Sequence, residues 1–312
     1  MTMLALPDHG LQRSVKTHNV DREIVCDWIE GSVLFVDNDL SQSDVIDALL
    51  DHDIYADQDF ASELVVDIWQ RIEKRNKWMG AGSPFQLTGK RLHRVKTWQE
   101  ASAFSFCMVL TFSGLYDKWT NASGANYIKQ GHLFERLTKE CLEELGWAVF
   151  QTGWASGIQN PAFKAIVEQV ADHLNEPFIV EAMVDIYSDA NEEGLDLVCH
   201  LPFADDRGGK PVYLVQCASG ANWKAKQKSP DLDVWKRLIT FSADPVRAFT
   251  IPFSLDELDF LKTCIRVNGM VLDRYRLLSP GQANANWVSP GLDQEMIAWL
   301  TPRVSTLPLD SN

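Results

Sequence analysis

Two polar residues stand inside apolar runs of this chain, twenty positions apart. Asp196 lies in Gly194-Leu195-Asp196-Leu197-Val198, and Gln216 in Val212-Tyr213-Leu214-Val215-Gln216-Cys217-Ala218. Runs of this length and composition predict short strands. If the strands are neighbours, a carboxylate and an amide oxygen meet at one point, a donor pair suited to a hard divalent cation. Oxygen-bound Mg²⁺ is in turn the usual means of hydrolysing a phosphodiester. The plainer readings are a turn acid and a glutamine satisfied by backbone. Against them, an acid within Leu-Asp-Leu-Val is costly to bury without a partner or a metal.

The elements that must position this pair can be read around it. Leu133, Phe134, Leu137, Cys141, Leu142 and Leu145 describe an amphipathic helix with Glu135 at the margin of its apolar face. Trp147 to Thr152 is a strand candidate, 161–174 an inserted helix, and 178–187 either strand or helix. Strands follow around Leu195–Leu201 and Val212–Cys217, parted by the turn-rich Asp205-Asp206-Arg207-Gly208-Gly209, and a helix is expected from Asn222. This order suits an α/β (α+β) core: a mixed central sheet flanked by helices. Ile265–Leu272 reads as a late strand ending in the charged turn Asp273-Arg274-x-Arg276. Trp287 and a short helix Leu292–Leu300, with Trp299, are expected to seal the core.

The first part of the chain reads as helical. Ser41-x-x-Asp44 and Thr97-x-x-Glu100 are capping signals, the second opening a long apolar helix through Leu115 and Tyr116. Between them Leu64, Val65, Ile68, Trp69 and Ile72 recur at helical spacing, and Gly80-Ala81-Gly82-Ser83-Pro84 marks a loop. Asn121-Ala122-Ser123-Gly124 breaks the pattern. The division expected is therefore 1–125, a mostly helical N-terminal domain that positions substrate or partners, and 126–312, the domain carrying the candidate site.

A net charge of −14 argues at first against nucleic acid. The charge is unevenly placed, however. Residues 1–70 hold fifteen Asp/Glu against three Lys/Arg, whereas 71–98 hold eight Lys/Arg against one acid. Lys74, Arg75, Lys77, Lys90, Arg91 and Arg94 in this stripe, interleaved with Trp69, Trp78, Phe85 and Trp98, suit a phosphate backbone with aromatics for stacking. Aromatics more often pack in a core, and the acidic segment is ordinarily a solvated face. A sharper reading has the acids contact the stripe and hold nucleic acid off. The six cysteines lie far apart without a C-x-x-C pair, and the seven histidines are scattered, as in a reduced cytoplasmic protein without a zinc site. No apolar run is long enough for a membrane span, and Met1–Gly10 lacks the pattern of a signal peptide.

Gly131-x-x-Phe134-Glu135-x-Leu137, Gly194-Leu195-Asp196 and Val215-Gln216-Cys217 together resemble the PD-(D/E)XK, or restriction-endonuclease-like, nuclease superfamily, nearest its Mrr-like branch with a Gln-x-Lys motif. The resemblance covers roughly residues 126–240. It implies a restriction-endonuclease-like mixed sheet, Mg²⁺ (or Mn²⁺) as cofactor, and hydrolysis of DNA, with Asp196, Gln216 and Glu135 as metal ligands. It also implies prokaryotic defence against foreign DNA. Ala218 departs from it, standing where the family has a catalytic lysine, which orients the attacking water and offsets phosphate charge. In this family the lysine can come from an adjacent element, and Lys224, Lys226 and Lys228 follow. On a helix at ~100° per residue, Lys226 falls about 60° from an inward Trp223, Lys224 about 100° and Lys228 about 140°. Lys226 is thus the first candidate and Lys224 the second.

With no G-x-x-x-x-G-K-[ST] ATPase motif, such an enzyme is expected to need a protein partner for activation or targeting. A homo-oligomer is also compatible. Two other functions fit the same residues: a degenerate nuclease fold that binds nucleic acid or protein without chemistry, and an RNase.

Overall fold

A computed structural model describes residues 2–11, 20–122, 127–152, 163–178 and 194–310. The chain divides into two compact units. The first is Met1–Ala125 with Gly281–Asn286 and Asp293–Asn312; the second is Asn126–Pro280 with Trp287–Leu292.

In the first unit, helix α1 (Arg22–Phe35) starts where the Asp21 carboxylate accepts from the backbone N–H groups of Glu23 and Ile24. Strand β1 (Asp39–Ser41) runs into α2 (Gln42–Asp51) through a reciprocal capping box between Ser41 and Asp44. Helix α3 (Gln58–Met79) turns Leu64, Val65, Ile68, Trp69 and Ile72 inward. The basic stripe then adds strands to the mostly helical domain that was expected. Strands β2 (Phe85–Thr88) and β3 (Arg91–Arg94) form a hairpin across Gly89-Lys90, and β1 completes an antiparallel sheet of order β1-β3-β2. Gly89 has a positive φ, as a two-residue hairpin turn requires. The Thr97–Glu100 box forms, yet helix α4 begins only at Ser102 and ends at Phe112, buried on every side. A short α5 (Asp117–Ala122) follows.

The second unit begins with α6 (Tyr127–Glu144) and β4 (Ala148–Gln151), then α7 (Phe163–Leu174). After it come β5 (Leu197–His200), β6 (Val212–Cys217), α8 (Leu232–Leu238), β7 (Val246–Thr250), α9 (Glu257–Val267), β8 (Gly269–Leu272) and the short α10 (Arg274–Leu277). The sheet has five strands in the order β4-β5-β6-β7-β8; the first three are mutually antiparallel and the last three parallel. The protein is thus a mixed α/β structure. One sheet face meets α6, where the Thr138 and Thr250 hydroxyls lie 3.3 Å apart. On the other, Val198, Val212 and Leu214 pack with Val170 and Leu174 of α7 and Trp235 of α8. Farther along, Ala218, Phe249 and Val271 pack with Val267 of α9.

Three expectations change here. The segment after Asn222 is a 3₁₀ turn, Trp223–Lys226, and Asn222 makes no side-chain cap. The late strand is shorter than its apolar run, because Ile265–Val267 finish α9 and Asn268 closes that helix in the left-handed conformation. The last helix, α11 (Pro290–Val304), places Trp299 not in the second domain's core but against Phe106, ring centroids 5.1 Å apart, so Asp293–Asn312 belongs with the first unit. Residues 179–187, and Ser123-Gly124 of the expected boundary, lie outside the described residues. Among the described residues, no helix is long and apolar enough to cross a membrane.

Candidate active site

Asp196 sits one residue before β5, its backbone fixed on both sides. Its N–H donates to the Val215 carbonyl at 3.0 Å, and its carbonyl accepts from the Thr152 N–H at 3.0 Å. Its carboxylate oxygen Oδ2 accepts from the Cys217 N–H at 2.6 Å and from the side-chain amide of Gln216 at 2.5 Å. The expected pair is therefore in direct contact. Gln216 is buried, with its other amide atom, Oε1, turned toward Gly194. Gly194 has φ +71°, and a Cβ there would stand 2.9 Å from Gln216 Oε1 and 2.8 Å from Ser229 Cβ. A glycine is thus required on two counts, backbone conformation and close approach.

Glu135 projects from α6 and accepts from the side-chain amide of Gln151, at the end of β4, at 2.9 Å. Its charge, like that of Asp196, acts on the Cys217 thiol. Burial first, then the negative charges of Asp196 and Glu135, hold the Cys217 thiol well above its ordinary range, so it stays protonated and is no nucleophile. Gln151 and Ser229 were not singled out in the sequence, and Cys217 only as part of Val215-Gln216-Cys217. Cys217 reads there as one of six scattered core thiols, and only the fold reveals that the charges of both acids act on it.

The lysines lie differently from expectation. Ala218 is 1% exposed among Phe249, Ile251, Leu255 and Val271, and its N–H donates to the Thr250 carbonyl at 2.9 Å. The position where the resembled family places a lysine is thus dry and apolar. In the 3₁₀ turn, residues three apart eclipse, so Lys226 falls on the side of Trp223 rather than about 60° from it. Trp223 packs against Phe249 and Phe253. Lys224 and Lys226 are exposed, Lys224 with its ammonium 5.5 Å from the Trp223 ring centre. The Lys226 carbonyl accepts from the Ser229 N–H at 2.9 Å, which ties this turn to the residue packed on Gly194.

The basic stripe in the first unit divides in two. Arg75, 2% exposed, is a correction to the expected nucleic-acid track. Its guanidinium donates to Glu23 at 2.7 Å, Asp27 at 2.9 Å and Glu30 at 2.7 Å, so it neutralises buried acids of α1 and is closed to phosphate. Arg91 is paired with Asp39, and Arg94 donates to the Leu34 carbonyl at 2.8 Å and to Asn38. Lys74, 5.6 Å over the Trp78 ring, Lys77 and Lys90 face solvent. Trp69 and Phe85 are core residues. The acidic segment does contact the stripe: at Arg75 inside the fold, at Arg71 half-buried, and at Arg91 on the surface.

The donor set at Asp196 fits a hard cation in part: the carboxylate is an oxygen ligand, whereas Gln216 presents its amide N–H to that carboxylate and its oxygen to Gly194, so it would have to turn its amide to become a second oxygen ligand. It supplies few ligands, and among the described residues no group of three His, Cys, Asp or Glu is placed to hold a metal ion. An ion held there would have to keep several waters, as Mg²⁺ commonly does. No protein-family model, curated protein or solved structure matches this chain.

Proposed function

We propose that the second unit is a divalent-metal-dependent nuclease domain with a restriction-endonuclease-like fold, hydrolysing DNA. The observation that carries this reading is the 2.5 Å contact between Gln216 and Asp196 at the ends of neighbouring strands, bridged further by the Cys217 N–H. A mixed sheet with helices on both faces supports it as well. Asp196 would hold Mg²⁺ or Mn²⁺, with Gln216 joining through Oε1 once its amide is turned toward the carboxylate and Glu135 reaching the ion through water. The bound ion supplies polarisation of the phosphate and a more acidic water. Gln151 fixes the Glu135 carboxylate, and Lys226, or Lys224, offsets charge on the phosphate from an exposed turn beside the site. Lys74, Lys77 and Lys90 bind the nucleic-acid backbone in the first unit. The resemblance adds a context of prokaryotic defence against foreign DNA, and the lack of an ATPase motif points to activation or targeting by a protein partner.

A second reading is favoured by one specific observation. Ala218 is sealed in an apolar cluster, and neither Lys224 nor Lys226 pairs with an acid among the described residues. On that reading the fold binds nucleic acid or protein without cleaving. Plasmid DNA, linear DNA and RNA incubated with Mg²⁺ or Mn²⁺, wild type beside Asp196→Ala, separate the two. Metal-dependent cleavage lost in the variant supports the nuclease, and its substrate distinguishes DNase from RNase. Equal inertness of both proteins on every substrate, with measurable binding, supports the second reading.

A further inference from the structure

Helix α9 carries two apolar stripes, and the fold uses one of them. Phe260, Thr263, Cys264 and Val267 share the inner face, where Val267 is buried with Phe249 and Val271 of the sheet and Phe260 and Cys264 pack beside it. Leu258, Leu261 and Ile265 lie within about 60° of one another on a face turned away from it, at ~100° per residue. They are 59%, 56% and 69% exposed, and among the described residues nothing covers them. Their spacing of three and then four residues is that of a coiled-coil seam, and side chains so spaced touch, so the three form one continuous ridge. A contiguous ridge, unlike a lone surface leucine, calls for an occupant.

The charges around the ridge select that occupant. The cap and first turn of α9 are acidic, with Asp256, Glu257 and Asp259, and the later turns are basic, with Lys262 and Arg266. Lys262 reaches Asp259 at 3.1 Å within the helix, and both remain exposed to a further partner. A second copy of the helix laid antiparallel brings the acidic end of each against the basic end of the other. Two-fold symmetry makes that match twice, and the helix dipoles oppose favourably. A parallel copy would set like charge on like. An anionic membrane takes a helix whose polar face is basic, whereas three acids flank this ridge.

We propose that α9 is a self-association surface: two chains meet across a two-fold axis through antiparallel α9 ridges, with Leu261 nearest the axis. One helix of three turns falls short of the roughly 1,200 Å² buried in a stable complex, so the dimer is transient, with a dissociation constant on the order of micromolar or weaker. The inference does not rest on the nuclease reading.

Sedimentation equilibrium of the full chain, from low micromolar to several hundred micromolar, tests it. Wild type shifts from monomer toward dimer and stops there, because a two-fold contact closes on itself. Leu261→Glu and Ile265→Lys, both at exposed positions, keep the wild-type melting temperature and weaken the dimer about tenfold or more. Sodium chloride weakens the wild-type dimer by screening the cross-helix pairs. The double variants Glu257→Lys with Asp259→Lys, and Lys262→Glu with Arg266→Glu, each lose self-association and recover it when mixed. This mixing arm keeps the test decisive should either ridge variant fail to fold. A monomer at every loading, growth beyond the dimer, an unchanged dimer in the ridge variants, a dimer strengthened by salt, or a mixture that recovers nothing overturns the surface.

Discussion

The Gln216 side chain donates to the Asp196 carboxylate at 2.5 Å, so each residue is the other's polar partner. Replacing Gln216 with Leu leaves that carboxylate short of a donor and is expected to cost about 1–3 kcal/mol. Gln216→Glu is more informative. It sets two carboxylates against each other, lowering stability without metal, and a divalent ion relieves the repulsion. Mg²⁺ therefore raises the melting temperature of Gln216→Glu more than that of wild type. An equal or smaller rise means that no cation enters between these side chains.

Gly194 is the hinge of the same site. With φ +71° and the Gln216 amide and Ser229 pressed on its Cα, Gly194→Ala meets both strained backbone and a blocked Cβ. The expected loss is about 1–3 kcal/mol, measured by chemical denaturation. Cleavage activity should fall further than stability, because the displaced atom is Gln216 Oε1.

The contact between Asp196 and Gln216 was legible in the sequence because each interrupts an apolar run, and only strands pairing side by side accommodate both. The Ser41–Asp44 cap was legible for a similarly local reason, two side chains exchanging bonds within one turn. What the sequence hid is what depends on distant chain. Phe85, Leu87 and Leu92 alternate around Gly89-Lys90 as a hairpin does, but the density of cations there drew the reading to a phosphate track rather than to strands. Arg75 looks like its neighbours Lys74 and Lys77 until α1 brings three acids to it. Asn222 resembles a helix cap, but the chain turns back within one 3₁₀ turn and Ser229 packs on Gly194.

Arg75 yields the next prediction. Arg75→Met leaves Glu23, Asp27 and Glu30 without their shared cation and is expected to cost about 3–5 kcal/mol. Among the folded fraction its affinity for DNA should match wild type. The triple change Lys74→Ala, Lys77→Ala and Lys90→Ala should do the reverse. It leaves the melting temperature within a degree or so and lowers the slope of log affinity against log salt by roughly one per lysine engaged. A salt titration of binding on both variants checks the pair.

Ala218 tests whether the resembled family's lysine can simply be restored. The position lies among Phe249, Ile251 and Val271, so Ala218→Lys must bury an ammonium or force the cluster apart. Instead of raising activity, it should destabilise the protein by a few kcal/mol. Lys226→Ala, on an exposed turn, should keep wild-type stability and lose most cleavage. Wild-type cleavage in Lys226→Ala, together with loss in Lys224→Ala, would transfer the role to Lys224.

Stability should also depend on pH through His173. Its imidazole is held down to about 4 from an ordinary 6.5, by burial first and then by the charges of His200 and Lys210. Between those values the unfolded chain binds a proton that the folded chain refuses, so stability falls as pH drops from about 6.5 to about 4 and levels off below. His200, lowered chiefly by burial, acts in the same direction. His173→Phe keeps a ring between Phe150 and His200 and removes the titration, so the difference in unfolding free energy between variant and wild type should widen over that window. Chemical denaturation from pH 7 to pH 4 measures it. A constant difference would mean that His173 titrates as it does in the unfolded chain, and that the charge on Lys210 does not reach it.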